Sequence, residues 1–294
     1  MVARRGNLQP AHRGYRYQDI ATAYLLVRSI VERYDEVIVD RKQVADDRID
    51  DLEVRMAGRR VRRQFKSSQQ ATRPLSSDDF IGVKSNLRID RLVLTHVGAG
   101  TSPADEYRLC ATWIPPVGDD PLAELLEPQI IEPTLSGWHS GGFRLRASMI
   151  WPVGSTPLWG PLLQSPDDSP FTRADFLEFC KRFTIELELP IASSQLIEPG
   201  PLECALLDVL KEGVGIGRYP NQGRSPADVA ALAISLANLA RTQEGSLTPR
   251  EIERDLEIRV DFGRVAQSFP LDQSLFHDRP MFRRKVSESV MAGQ

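Results

Sequence analysis

The stretch Asp50-Asp51-Leu52-Glu53-Val54-Arg55-Met56-Ala57-Gly58-Arg59-Arg60-Val61-Arg62-Arg63-Gln64-Phe65-Lys66 decides the reading of this chain. Leu52, Val54 and Met56 alternate with Asp51, Glu53 and Arg55, and Val61 and Phe65 alternate with Arg62, Gln64 and Lys66. Period two is the side-chain period of a strand, so both halves read as strands with one apolar and one polar face. Ala57-Gly58 supplies the turn of a hairpin. A two-residue turn sets Asp51 opposite Gln64; a four-residue turn sets Asp51 opposite Lys66 and Glu53 opposite Gln64. Either register gathers two carboxylates, an amide and an ammonium on one face, whereas a slip of one residue scatters them.

That face has a chemical meaning. Two nearby carboxylates offer oxygen ligands to Mg²⁺ or Mn²⁺, and such a metal activates water and neutralises charge on a phosphodiester. A lysine beside them can orient the water or stabilise the developing charge. The same pattern also describes an amphipathic hairpin with a solvated charged face and ordinary cross-strand ion pairs. Spacing alone leaves both open.

Upstream, Arg13-Gly14-Tyr15-Arg16-Tyr17-Gln18-Asp19-Ile20-Ala21 opens a helix expected to run to about Arg33, with Ile20, Ala21, Tyr24, Leu25 and Ile30 on its apolar side. Glu36-Val37-Ile38-Val39-Asp40 reads as a strand, followed by the acidic loop Asp46-Asp47-Arg48-Ile49-Asp50. The order Gly-x-x-Tyr-Gln helix, strand ending in an acid, Asp-hydrophobic-Glu strand and Gln-x-Lys resembles the PD-(D/E)xK nuclease superfamily. Within it the chain is most similar to the Cap4-type double-stranded DNA endonuclease domains of bacterial anti-phage effectors, also found before some STAND ATPases. The resemblance covers residues 13–68 well and the rest in outline.

The resemblance implies a restriction-endonuclease-like α/β (α+β) core with a mixed sheet, and a metal-dependent phosphodiester hydrolase. It makes Asp51 and Glu53 the ligands of Mg²⁺ (or Mn²⁺), Lys66 the catalytic lysine and Gln64 the variable position before it. Gln18 and Asp40 become supporting residues. No proline precedes the aspartate, a departure from the superfamily name. Expected partners are double-stranded DNA and either further copies of the chain or a STAND-type ATPase sensor. The runner-up reading is an inactive nuclease-like domain that binds nucleic acid or protein; a third is a plain interaction platform.

Charge distribution supports a nucleic-acid partner locally. The net charge is −3, but residues 1–75 hold 16 Lys and Arg against 10 Asp and Glu, and the remainder holds 21 against 30. Arg59, Arg60, Arg62 and Arg63 lie on the hairpin and are expected to touch phosphates, although charge protecting an edge strand gives the same pattern. No apolar run reaches the roughly eighteen residues of a membrane span, and Met1-Val2-Ala3-Arg4-Arg5 lacks a signal-peptide core. Cys110, Cys180 and Cys204 are widely separated and the histidines do not cluster, which suits a reducing cytoplasm and offers no zinc site.

The expected organisation is a nuclease-like domain over 1–170, a helical subdomain over 171–270 and a linker or helix over 271–294 that leads toward an ATPase in the STAND relatives. In the first, Ser76–Asp79 caps a helix to about Asn86. Arg91–Thr95 and Leu109–Ile114 read as strands, Pro121–Leu126 as a short helix, Phe143–Trp151 as a strand and 154–170 as loop. In the second, helices are expected from Thr172 or Asp175 through Phe183 and Ile185, over Pro201–Val214, from Ser225-Pro226 to about Gln243 and from Thr248. Gly213-Val214-Gly215-Ile216-Gly217 follows a helix and lacks Gly-Lys-Ser/Thr, so it reads as a helix stop rather than a phosphate loop.

Overall fold

The computed structural model describes residues 9–259, apart from 69, 71, 86, 101–104, 131–140, 164–170 and 194–197. The expected segment 271–294 lies outside the described residues. In chain order the elements are α1 (Gln9–Glu32), β1 (Glu36–Val39), β2 (Leu52–Met56), β3 (Arg59–Lys66), α2 (Ser77–Ile81), α3 (Ile89–Gly98) and β4 (Asp105–Ala111). There follow α4 (Leu122–Leu125), β5 (Leu126–Gln129), β6 (Gly141–Leu145), α5 (Ala147–Ile150), α6 (Gly160–Leu163), α7 (Arg173–Arg182) and β7 (Phe183–Leu187). The chain continues through α8 (Pro201–Asp208), a π-helical turn (Val209–Val214), α9 (Pro226–Thr242), β8 (Ser246–Leu247) and α10 (Pro249–Asp255).

The strands form one mixed eight-stranded sheet in the order β5-β6-β7-β4-β3-β2-β1-β8. β3–β4 and β4–β7 pair in parallel, and the other strand pairs of the sheet are antiparallel. The hairpin has the two-residue turn: Met56 pairs with Arg59 and Leu52 with Arg63. Ala57 and Gly58 both have positive φ, 47° and 77°. That is the primed turn whose twist suits a hairpin, and glycine takes its second position at no steric cost.

Alternation along the strands sends side chains into two cores. Val37, Val39, Leu52, Val54, Phe65 and Cys110 pack under α1, α8, α9 and α10. Tyr107, Leu109, Ala111, Phe183, Ile185 and Leu187 pack under α3, α6 and α7 on the other face. α1 is buried on nearly every side from Tyr17 to Val27. A helix apolar all round needs cover all round, and α8, α9 and α10 supply it.

Three expectations change. Arg91–Thr95 belongs to α3, not to a strand: Ile89, Leu92, Val93 and His96 are buried at helical spacing. Phe143–Trp151 divides into β6 and the short α5. Of the segment 171–270, residues 171–259 apart from 194–197 are described, and they are not all helical: Phe183 and Ile185 lie in β7, inside the sheet between β6 and β4. α7 ends in a change of period, from apolar residues three and four apart to strict alternation over Phe183-Thr184-Ile185-Glu186-Leu187. The remaining helices of that region complete the core around α1. Gly215 ends the π-helical turn in the left-handed region (φ 79°), a helix stop as expected.

Candidate active site at the end of β3

β1, β2 and β3 bring Asp40, Asp51, Gln64 and Lys66 to one end of the sheet. Asp40 follows β1 and donates its backbone N–H to the Asp51 carbonyl at 3.1 Å. Asp51 precedes β2, and its Oδ2 accepts from the Phe65 backbone N–H at 2.6 Å and from Gln64 Nε2 at 2.6 Å. The register places Asp51 opposite Gln64, the first of the two alternatives left open by the sequence. Lys66, two residues further along the same face, is half-buried.

Asp51 is buried, and burial pushes its carboxyl up to about 7. The Lys66 ammonium and the Phe65 amide oppose that rise, while Asp50 and Asp40 add to it. Asp50 is also raised, first by burial and then by Asp47 and Asp40, with Lys42 pulling it down. Asp40 is raised by burial, against the pull of Arg241 and Lys42. Its φ of 51° is a left-handed conformation that aspartate tolerates better than most residues and that turns the chain out of β1. Burial is thus the first cause of the rise in all three acids, and Lys66, Lys42 and Arg241 oppose it. The acidic loop signalled Asp50, but the strand pattern of the hairpin excluded it from the predicted site.

Glu53 has a different neighbourhood. Its carboxylate accepts from Arg55 Nε at 2.7 Å and Gln43 Nε2 at 2.7 Å, with Arg62 Nε 3.9 Å away. It shares the face of Asp51 but is committed to a cation and an amide. Among the described residues, no three His, Cys, Asp or Glu side chains gather in a metal-binding group. Mg²⁺ is commonly held by one or two carboxylates, with water and phosphate oxygens completing its shell. Asp51 with Asp50 or Asp40 offers carboxylate oxygens of that kind.

Gln18 is buried on α1, and its amide nitrogen meets no hydrogen-bond partner among the described residues. The preceding Tyr17 meets Phe65 edge-on, with ring centroids 6.4 Å apart, so this turn of α1 covers the Gln64–Lys66 end of β3 from the opposite face. Asp19 holds Arg241 at 2.8 Å and Asn238 at 3.0 Å, tying α9 to the same end.

The hairpin arginines are not a solvated patch. Arg62 and Arg63 are each 1% exposed. Arg62 is ion-paired with Asp47, which is itself buried, and lies over the Tyr107 ring at 5.9 Å. Arg60 Nε donates to Asp105 at 2.8 Å, and Arg59 Nε to Glu106 at 3.1 Å. The expected phosphate contacts are thus corrected for Arg62 and Arg63, which cannot reach a duplex. The cause is topological: β3 is an interior strand, flanked by β2 and β4 and covered on both faces. Charges there must be paired.

No protein-family model matches the chain, and no curated protein matches it significantly. Among the described residues no helix is long and apolar enough to cross a membrane.

Proposed function

We propose that this chain is a metal-dependent double-stranded DNA endonuclease module of the PD-(D/E)xK type. The observation that supports the reading best is the junction of Asp51, Gln64 and Lys66 at one end of a mixed sheet. It supports an Asp…Gln-x-Lys site without Glu53. Asp51 is the first metal ligand, with Asp50 or Asp40 as the second carboxylate. A bound Mg²⁺ or Mn²⁺ would supply an activated water and neutralise phosphate charge. Gln64 orients Asp51 through its 2.6 Å hydrogen bond. Lys66, whose ammonium acts on the Asp51 carboxyl, stabilises the charge that builds on the phosphate in the transition state. The resemblance places such a module in anti-phage defence, with activity controlled by oligomerisation or an attached sensor.

The test is plasmid cleavage with Mg²⁺ or Mn²⁺, with and without EDTA, assayed at high protein concentration so that assembly is not limiting. Lys66→Ala is expected to lower turnover roughly 10²- to 10³-fold while duplex binding in EDTA is retained. Weakened binding with a normal rate at saturating DNA would refute the role of Lys66. One observation favours the inactive, binding-only alternative: Glu53 is engaged by Arg55 and Gln43 instead of pointing to a metal site with Asp51. Absence of metal-dependent cleavage under every condition, with binding intact, would select that alternative.

A further inference from the structure

The loop from Asp40 to Asp50 carries two exposed cations, and Lys42 acts electrostatically on Asp40 and Asp50. Arg41 and Lys42 are exposed, and neither forms a hydrogen bond or ion pair with the described residues. They line a cleft of about 340 Å³ together with Gln43, Arg55 and the C-terminal turn of α3 at Gly98. Asp40, next in sequence to Arg41, is bonded through its backbone to Asp51. Consecutive Cα atoms are only 3.8 Å apart, so both cations lie within roughly a side chain's length of that end of the sheet.

The loop is also braced. The Asp47 carboxylate accepts from the backbone N–H groups of Gln43 (2.9 Å) and Ile49 (3.0 Å) and is paired from below with Arg62. The Arg48 N–H donates to Thr95 Oγ1 at 3.1 Å. Val44 lies so close to Gly98 that a Cβ there would come within 2.9 Å of its Cγ1. Gln43 Nε2 reaches Glu53 at 2.7 Å. Fixed cations lose less freedom on binding than mobile ones.

We propose that Arg41 and Lys42 are the contacts that hold the phosphate backbone of duplex nucleic acid beside the acidic end of the sheet. This inference rests on the nuclease reading for its ligand but is tested without cleavage. Exposed ammonium and guanidinium groups recognise phosphate charge and carry no base information. Among the described residues the cleft's lining holds no aromatic side chain for stacking a base, which favours a backbone over a mononucleotide. Arg62 acts indirectly, through Asp47, as the anchor of the loop.

The experiment measures duplex affinity by fluorescence anisotropy in EDTA, with a duplex of about 30 base pairs, between roughly 50 and 200 mM salt. Arg41→Gln/Lys42→Gln is expected to flatten the plot of log affinity against log salt by about 1.8, close to 0.9 for each lost phosphate contact. All duplex sequences should weaken alike. Arg59→Gln, whose partner is Glu106, is expected to leave the slope unchanged. Wild-type binding that is absent, an unchanged slope in the double variant, or a loss confined to one sequence would each overturn the proposal. Wild type that binds with this slope but never cleaves would uphold the proposal and sink the nuclease reading; cleavage with an unaltered slope in the double variant would do the reverse.

Discussion

Asp51→Asn should abolish metal-dependent cleavage and, in EDTA at neutral pH, make the protein more stable. The sign follows from burial. An ordinary aspartate gives up its proton near pH 3.8, whereas Asp51 in the folded chain keeps it to about 7. Between those values the native state binds the extra proton, so stability falls as pH rises and levels off above about 7. A difference of that size corresponds to at most roughly 4 kcal/mol. Asparagine keeps an acceptor for Phe65 and Gln64 but has no proton to lose, so its stability should not decline over this window. Urea unfolding of both proteins from pH 4 to pH 8 provides the check; parallel pH profiles would show that Asp51 is not held in this state. Divalent metal competes with the same proton, so cleavage at limiting metal should rise with pH through neutrality.

The second large effect is expected at Asp47. Asp47→Ala leaves the buried Arg62 guanidinium with only the more distant Glu53 carboxylate, 3.9 Å from its Nε; breaking a buried pair in this way typically costs about 3–5 kcal/mol. The double variant Asp47→Ala/Arg62→Met removes both charges and should recover much of that loss, because the apolar stem can remain against Tyr107. Asp47 also holds the Gln43 and Ile49 amides, so Asp47→Ala should speed hydrogen exchange at both. Equal stability of Asp47→Ala and wild type would mean that the pair is solvated in solution, and the braced-loop argument would lose its foundation.

The hairpin was legible because its information is local. Alternation from Asp51 to Met56 and from Val61 to Lys66 gave the strands, and Ala57-Gly58 gave a turn. The Asp51–Gln64 pairing then followed from the shorter of two turn lengths, and the side-chain hydrogen bond is its consequence. The starts of α9 and α10 were equally readable, since Ser225-Pro226 and Thr248-Pro249 carry helix-start chemistry within four residues.

The sequence by itself determined which residues share a face and where most helices begin, because dihedral preference, capping and periodicity act over a few residues. Only the tertiary structure decided what each face meets. Arg91–Thr95 has apolar residues that suit either a strand or a helix, and packing of Ile89, Leu92 and Val93 under the sheet selects the helix. β7 enters the sheet through parallel pairing with β4, a contact between positions such as Leu109 and Ile185 that leaves no local signal. That pairing, with β3–β4, places β3 in the interior. It buries Arg62 and Arg63 of a stripe that looks solvated in the sequence, while Arg41 and Lys42, unremarkable in the sequence, stay exposed beside Asp40.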